Sequence, residues 1–422
     1  MQIRARFAPS FVHVAAAACV LTALSAACAG PRPPDQAIAA TLGEMPSPAG
    51  PDSAMPQLAV EPGGRVLASW LEKHAEGGHR FRFAAFEGSG WSAPVTIAEG
   101  DRFFANWADV PSIAALADGT LAAHWLERSG PDTYAYDVKV RMSRDGGRTW
   151  SAAVSPHRDG TQTEHGFVSM YDHPGGGLGL IWLDGRDFAE HAGHGMEGMQ
   201  AEMSLRATSF DGDTPRPEVL VDGRVCECCP TTAAPVTGGI VIAYRDRSPE
   251  EVRNIAVARL IDGVWSEPAH VYDDNWQIPG CPVNGPALDT DGAARVALVW
   301  FTAPGEEAHV RVAFSSDGGA TFGDPIAVDE GAPLGRVDNV LLPDGSALVS
   351  WIEQVDQGAD WRVRQVAPDG TRGPSVRIAA LTATRASGHP RMMRAGDTLT
   401  FAWTDAGDVP QVRTARARLE QP

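Results

Sequence analysis

Short apolar runs recur along the whole chain, each closed by an aromatic residue and usually by an acid two places further on. Trp70 with Glu72, Trp125 with Glu127, Trp182 with Asp184, Tyr244 with Asp246, Trp351 with Glu353 and Trp403 with Asp405 carry the full mark, and Trp300 carries the aromatic alone. Consecutive marks lie 51 to 62 residues apart. No long stretch keeps a helical period, and 45 glycines and 32 prolines supply turns. In the second unit the pattern predicts strands over 112–116, 121–127, 137–143 and 150–154, with a tight turn at Asp118 and Gly119. A period near fifty residues with four short strands per repeat predicts an all-β propeller rather than a helical solenoid. The aromatic marks count seven blades, with six as the alternative. The seventh unit stops after its third strand, near 413–419. The piece at 37–42 is therefore expected to supply the fourth strand and join the two ends of the ring.

A second signal sits between the third and fourth strands. Ser143, Asp145, Gly146, Gly147, Thr149 and Trp150 form one Ser-x-Asp-Gly-Gly-x-Thr-aromatic turn, and Ser315, Asp317, Gly318, Gly319, Thr321 and Phe322 form another. An aspartate can cap amides of its own turn while the glycines take positive φ. These segments, 143–150 and 315–322, resemble the Asp-box (BNR repeat) of the sialidase superfamily. The resemblance implies the blade architecture, although sialidases usually have six blades. The box is structural and occurs with unrelated activities, so it names no reaction.

Composition and charge narrow the setting. The 422 residues carry 35 Lys and Arg against 53 Asp and Glu, a net charge of −18, which excludes nucleic acid as a partner. Residues 1–27 read as a secretory signal, with Arg4 and Arg6 before an apolar core. The small residues before Cys28 resemble a bacterial lipobox, which implies lipidation of Cys28; cleavage after Ala27 or Ala29 is the alternative. Residues 28–47 read as a tether and 48–422 as one propeller domain. The expectation is a monomer in the periplasm or on the outer surface, touching the membrane only through its lipid.

The loops that enter the first strand and leave the second lie on one end of such a ring, and they hold nearly all the unusual residues. Arg186, Arg245, Arg247, Arg336 and Arg391 fall there, with Asp246, Asp338, Trp276, His165 and His389. Arginines in fixed positions clamp carboxylates through paired N–H donors, so this end is expected to bind an acidic carbohydrate or another carboxylate. Alternatively, each arginine pairs with an aspartate beside it. The superfamily resemblance implies three arginines on the substrate carboxylate, a tyrosine nucleophile assisted by a glutamate, and an aspartate acid/base. Arg186, Arg245 and either Arg336 or Arg391 stand for that triad, Asp109 or Asp184 for the acid, and Tyr244 for the nucleophile. An enzyme of this kind would be a sialidase-like exo-glycosidase. The family's Arg-Ile-Pro sequence is absent, its nearest match being Asp109, Val110 and Pro111. Tyr244 also fills the repeat's tryptophan position, which alternatively makes it core.

Cysteine supplies a second hypothesis. Cys226, Cys228 and Cys229 open the fourth unit and Cys281 opens the fifth. In an oxidising compartment these form two disulfides in one of three connectivities, or else a soft-metal thiolate site or a redox pair. His191, His194, Met196 and Met199 in the long loop of the third unit mix imidazole with thioether, a donor set that suits copper. Together they give a non-enzymatic reading, a copper-handling or protein-interaction propeller.

Overall fold

A computed structural model of the chain describes residues 33–191 and 202–419, the side chains of 190 and 191 excepted. The expected signal segment and Cys28 lie outside the described residues. Seven small antiparallel sheets form the blades of a β-propeller. Blade one is Ser53–Val60, Val66–Lys73, His79–Glu87 and Val95–Gly100. Blade two is Ser112–Ala115, Leu121–Arg128 and Tyr136–Ser143; its expected fourth strand is reduced to a bridge between Val140 and Val154. Blade three is His165–Asp172, Leu178–Asp184, Ser204–Asp211 and Val219–Asp222. Blade four is Thr232–Val236, Gly239–Arg245, Ile255–Ile261 and Ala269–Tyr272, and blade five is Ala287–Thr290, Val296–Thr302, His309–Ser315 and Ile326–Ala327. Blade six is Pro333–Leu341, Ala347–Val355, Gly358–Val366 and Val376–Leu381.

Blade seven is closed from the other end of the chain. Arg391–Ala395, Thr398–Asp405 and Gln411–Arg418 are joined by Gly43–Met45, which pairs antiparallel with Thr414 to Arg416. The closing strand therefore lies just beyond the expected piece at 37–42. That piece is mostly helix, Pro34–Thr41, whose Ala and Ile residues suit a helix and whose proline starts it. Its Ile38 packs with Trp361 and Phe401 in the core of blades six and seven. The ring thus takes in residues that the sequence assigned to the tether.

Second strands are buried on both faces because neighbouring blades pack against each, as in Leu178–Asp184, where every residue is buried. The repeated aromatics fill the space between blades. Trp70, Trp125, Trp182, Trp300, Tyr244 and Trp351 are essentially inaccessible. A buried indole N–H needs an acceptor, and two residues along a strand return to the same face. Hence Trp70 donates to Glu72 at 2.6 Å, Trp125 to Glu127 at 2.8 Å, Trp182 to Asp184 at 2.8 Å and Trp351 to Glu353 at 2.5 Å. Where the acid is missing, the preceding blade supplies it: Trp300 donates to Asp274 at 2.5 Å.

The two Asp-Gly-Gly turns are built alike. Asp145 accepts the Thr149 amide at 2.9 Å and its hydroxyl at 2.7 Å, bonds that hold its carboxyl at about 2. Asp317 accepts from Thr321 at 2.9 and 2.6 Å. Gly147 has φ 86°, and a Cβ there would stand 2.3 Å from the Phe83 ring of blade one. These turns thus seal one blade against the previous one.

Trp182→Phe removes the donor and leaves buried Asp184 short of a partner. The expected loss is about 1–3 kcal/mol in the urea unfolding free energy. An unchanged midpoint would show that the indole bond is not what the repeat preserves.

Candidate functional site

The innermost strands surround a central cavity of about 460 Å³, lined among others by Gln57, Ser169, Thr231, Asp289 and Arg391. An adjoining pocket of about 380 Å³ adds Asp338, Asn339 and Arg394. Most polar groups facing this space bind neighbouring blades. Asp109 accepts the amide of Phe167 at 2.8 Å, and Asp172 that of Ala117 at 2.8 Å. Asp289 accepts the Leu341 amide at 2.7 Å and Asp338 the Met392 amide at 2.8 Å. The same device serves bulged residues at the strand mouths. Met55, Phe167 and Arg336 have φ of 60°, 52° and 53°. Their amides go to Thr404, Asp109 and Asn284 of the preceding blade.

The five arginines do not form one ligand-facing cluster. Arg245 is 1% exposed and spends its guanidinium on the carbonyls of Asn284, Arg253 and Phe301 at 2.9, 2.7 and 2.6 Å, stacked over Trp276. Arg336 donates to the carbonyls of Thr384 and Gly388 at 3.0 and 3.3 Å and lies over Trp107. Arg186 pairs with Asp184 at 2.6 Å and Glu218 at 2.5 Å, and Arg247 with Glu227 and Glu251. For these four the alternative of local pairing, extended to backbone carbonyls, describes the side chains. Arg391 differs. It lines the central cavity, its Nε is buried without a hydrogen-bond partner, and Asp338 is its charged neighbour. Arg394, which sequence reasoning missed, lines the adjoining pocket with its own Nε equally unmatched. It stands three residues after Arg391 on the same strand, hence on its opposite face, so the sequence carried no mark of it.

The remaining expected site residues sort the same way. Tyr244 is core, donating to Asp222 at 2.6 Å, and is no nucleophile facing the cavity. Asp184 is wholly buried under Trp182 and Arg186, and so is withdrawn as an acid. Trp276 packs on Phe301, and His389 lies buried on Trp107 at 5.6 Å. Asp246 faces His270 at 2.9 Å on the outer rim. His165 is fully buried, away from the cavity. A second tyrosine bonded to carboxylates is Tyr136. It donates to Glu164 at 2.7 Å and lies 3.1 Å from Asp109. Burial pushes Asp109 up to about 8 and Glu164 up to about 7. Asp109 lines the central cavity but is 1% exposed and joins two blades through the Phe167 amide, while Glu164 is partly buried.

Among the cysteines, Cys226 and Cys229 form a disulfide, and the Cys228 Sγ lies 4.0 Å from that of Cys226. Cys228 hydrogen-bonds Cys281 across the loops opening blades four and five. That contact and burial push the Cys228 thiol up, while Cys281 is held below its usual value by the same bond, with Arg253 near. His194, Met196 and Met199 lie outside the described residues, as does the His191 side chain.

No family model matches the chain, and no curated protein does. Solved structures share its fold. The polysaccharide lyase Uly1 superposes with a TM-score of 0.50 at 10% identity, over 85% of this chain and 88% of its own. A protein of unknown function from Dyadobacter fermentans gives 0.49 at 14% identity, over 90% and 98%. The NanB sialidase from Streptococcus pneumoniae gives 0.44 at 11%, over 87% and 68%. At such identities these likenesses concern the propeller fold.

Two outcomes are expected. Peptide mapping of the oxidised protein should give Cys226 linked to Cys229 and Cys228 to Cys281; a Cys226–Cys228 link would contradict the arrangement. Asp109 and Glu164 hold protons more tightly folded than unfolded, so stability falls as pH rises from about 4 through about 8. Asp109→Asn should flatten that slope in urea melts at several pH values, and an unchanged slope would place the buried protons elsewhere.

Proposed function

We propose that this propeller is a recognition protein of the cell envelope, carried on the lipid expected at Cys28, which binds an acidic carbohydrate in its central channel. The observation that carries the reading is Arg391. Its guanidinium lines the cavity with a buried, unmatched N–H, beside Arg394 in the same condition. An unmet guanidinium donor is costly to bury, and a carboxylate is the strongest acceptor for it. Gln57, Ser169, Thr231 and Asn339 add neutral groups of the kind that orient sugar hydroxyls. Carbohydrate as the class of ligand rests on the Asp-box resemblance and on Uly1, a polysaccharide lyase of the same fold. Binding is favoured over hydrolysis because the carboxylates around Arg391, Asp289 and Asp338, already accept backbone amides.

The test is calorimetric titration with sialyllactose and with oligogalacturonate. Arg391→Met should weaken binding about tenfold or more, the scale of one charge-assisted hydrogen bond. Arg245→Met should instead lower the melting temperature. Equal binding by Arg391→Met and the unaltered protein would overturn the reading.

A further inference from the structure

The four cysteines of the loops opening blades four and five run in a series from solvent to core. Cys281 is exposed, Cys228 is half-buried, and Cys226 and Cys229 are each 1% exposed. Cys281 meets Cys228, the Cys228 sulfur lies 4.0 Å from that of Cys226, and Cys226 is bonded to Cys229. The inner disulfide is closed off from solvent. Arg253, whose side chain is 3% exposed, covers it by donating to Cys226 Sγ at 3.3 Å and to Glu227 at 2.7 Å. The outer pair stays open to solvent through Cys281.

Local structure brings the outer pair together without burying it. Cys281 sits on the irregular segment 276–284, which blade four anchors. The Arg253 amide donates to the Trp276 carbonyl at 2.9 Å, and the Ile278 amide to the Glu251 carbonyl at 2.9 Å. Arg253 Nε adds a bond to the Ile278 carbonyl at 3.2 Å. The Gly280 amide then turns back to the Ile278 carbonyl at 2.9 Å, just before Cys281. On the other side of the pair, the Val283 amide donates to the Cys228 sulfur.

The thiolate is the form of cysteine that attacks a disulfide, so the reactive thiol is an accessible one whose charge is stabilised. Cys281 meets both conditions. The Cys228 S–H donates to it, and Arg253 stands near, against the opposing charges of Glu227 and Glu164. Cys228 is placed to act second. It touches Cys281, and the Val283 amide can hold negative charge on its sulfur as the proton leaves.

We propose that Cys281 and Cys228 form a thiol–disulfide exchange site for small aliphatic disulfides, with Cys281 as the attacking sulfur and Cys228 as the resolving one. The Cys281 thiolate attacks one sulfur of R–S–S–R, which forms Cys281–S–S–R and releases R–S⁻. Cys228 then attacks Cys281 Sγ and passes its proton to the departing sulfur, which forms the Cys228–Cys281 disulfide and releases R–SH. Two protein sulfurs are oxidised, and one external disulfide is reduced to a thiol and a thiolate. An excess of the small thiol drives the same steps backwards. The Cys226–Cys229 disulfide stays closed throughout, and the site is independent of the channel arginines.

The test equilibrates the full-length mature protein, without oxygen, in glutathione buffers of stepped reduced-to-oxidised ratio. Free thiols are then blocked with N-ethylmaleimide and mapped by mass spectrometry. Cys228 and Cys281 are expected to appear as thiols together, at ratios where Cys226 and Cys229 remain linked. Cys228→Ser removes the resolving sulfur and should trap glutathione on Cys281. If that variant fails to fold, the half-reduced unaltered protein serves instead: limiting iodoacetamide should label Cys281 about tenfold or more over Cys228. An outer pair that never opens, or an inner disulfide that opens before it or with it, would overturn the proposal. So would a folded Cys228→Ser variant that traps no glutathione on Cys281, or equal labelling of Cys281 and Cys228.

Discussion

A buried side-chain acceptor on one blade that takes a backbone amide from the next is the bond on which this propeller depends. Blades in a ring share no continuous sheet, so the polar backbone at their inner edges must be satisfied across the joints. Asp109, Asp289, Asp338, Asn284 and Thr404 each do this for the following blade. The tryptophan-to-acid bonds do the same for the indoles packed between sheets. Between blades seven and one the chain uses its own N-terminal strand, reinforced by the Ser53 hydroxyl accepting the Val412 amide at 3.0 Å.

This arrangement decides which polar residues are free to act. Carboxylates and arginines are abundant on the loop-rich end, and most are consumed by the joints. Arg245 holds three carbonyls from two blades, and Asp184 anchors both Trp182 and Arg186. What remains unmatched is informative because burial without a partner is costly. The Arg391 Nε at the channel is such a group.

The blades were legible because a strand's two-residue period writes Trp70 and Glu72, or Trp351 and Glu353, onto one face. The count of seven followed from the spacing. The closing strand was displaced because residues 37–41 favour helix by propensity, and only the unpaired edge of Gln411–Arg418 selects Gly43–Met45. The site was less legible. Arg245 stands beside Asp246 in sequence, yet its partners are carbonyls 8, 39 and 56 residues away. Backbone acceptors leave no mark in a sequence. The meeting of Cys228 with Cys281 was readable from equivalent loops of adjacent blades, whereas the choice of partners was not.

The central claim is that the channel, and not the arginine-rich rim, is where the ligand is held. A crystal structure with bound oligogalacturonate tests it most directly. The account predicts a sugar carboxylate on the Arg391 guanidinium, within reach of Arg394. A carboxylate held instead by Arg247 or Arg186 on the rim, with the channel filled by water, would contradict it.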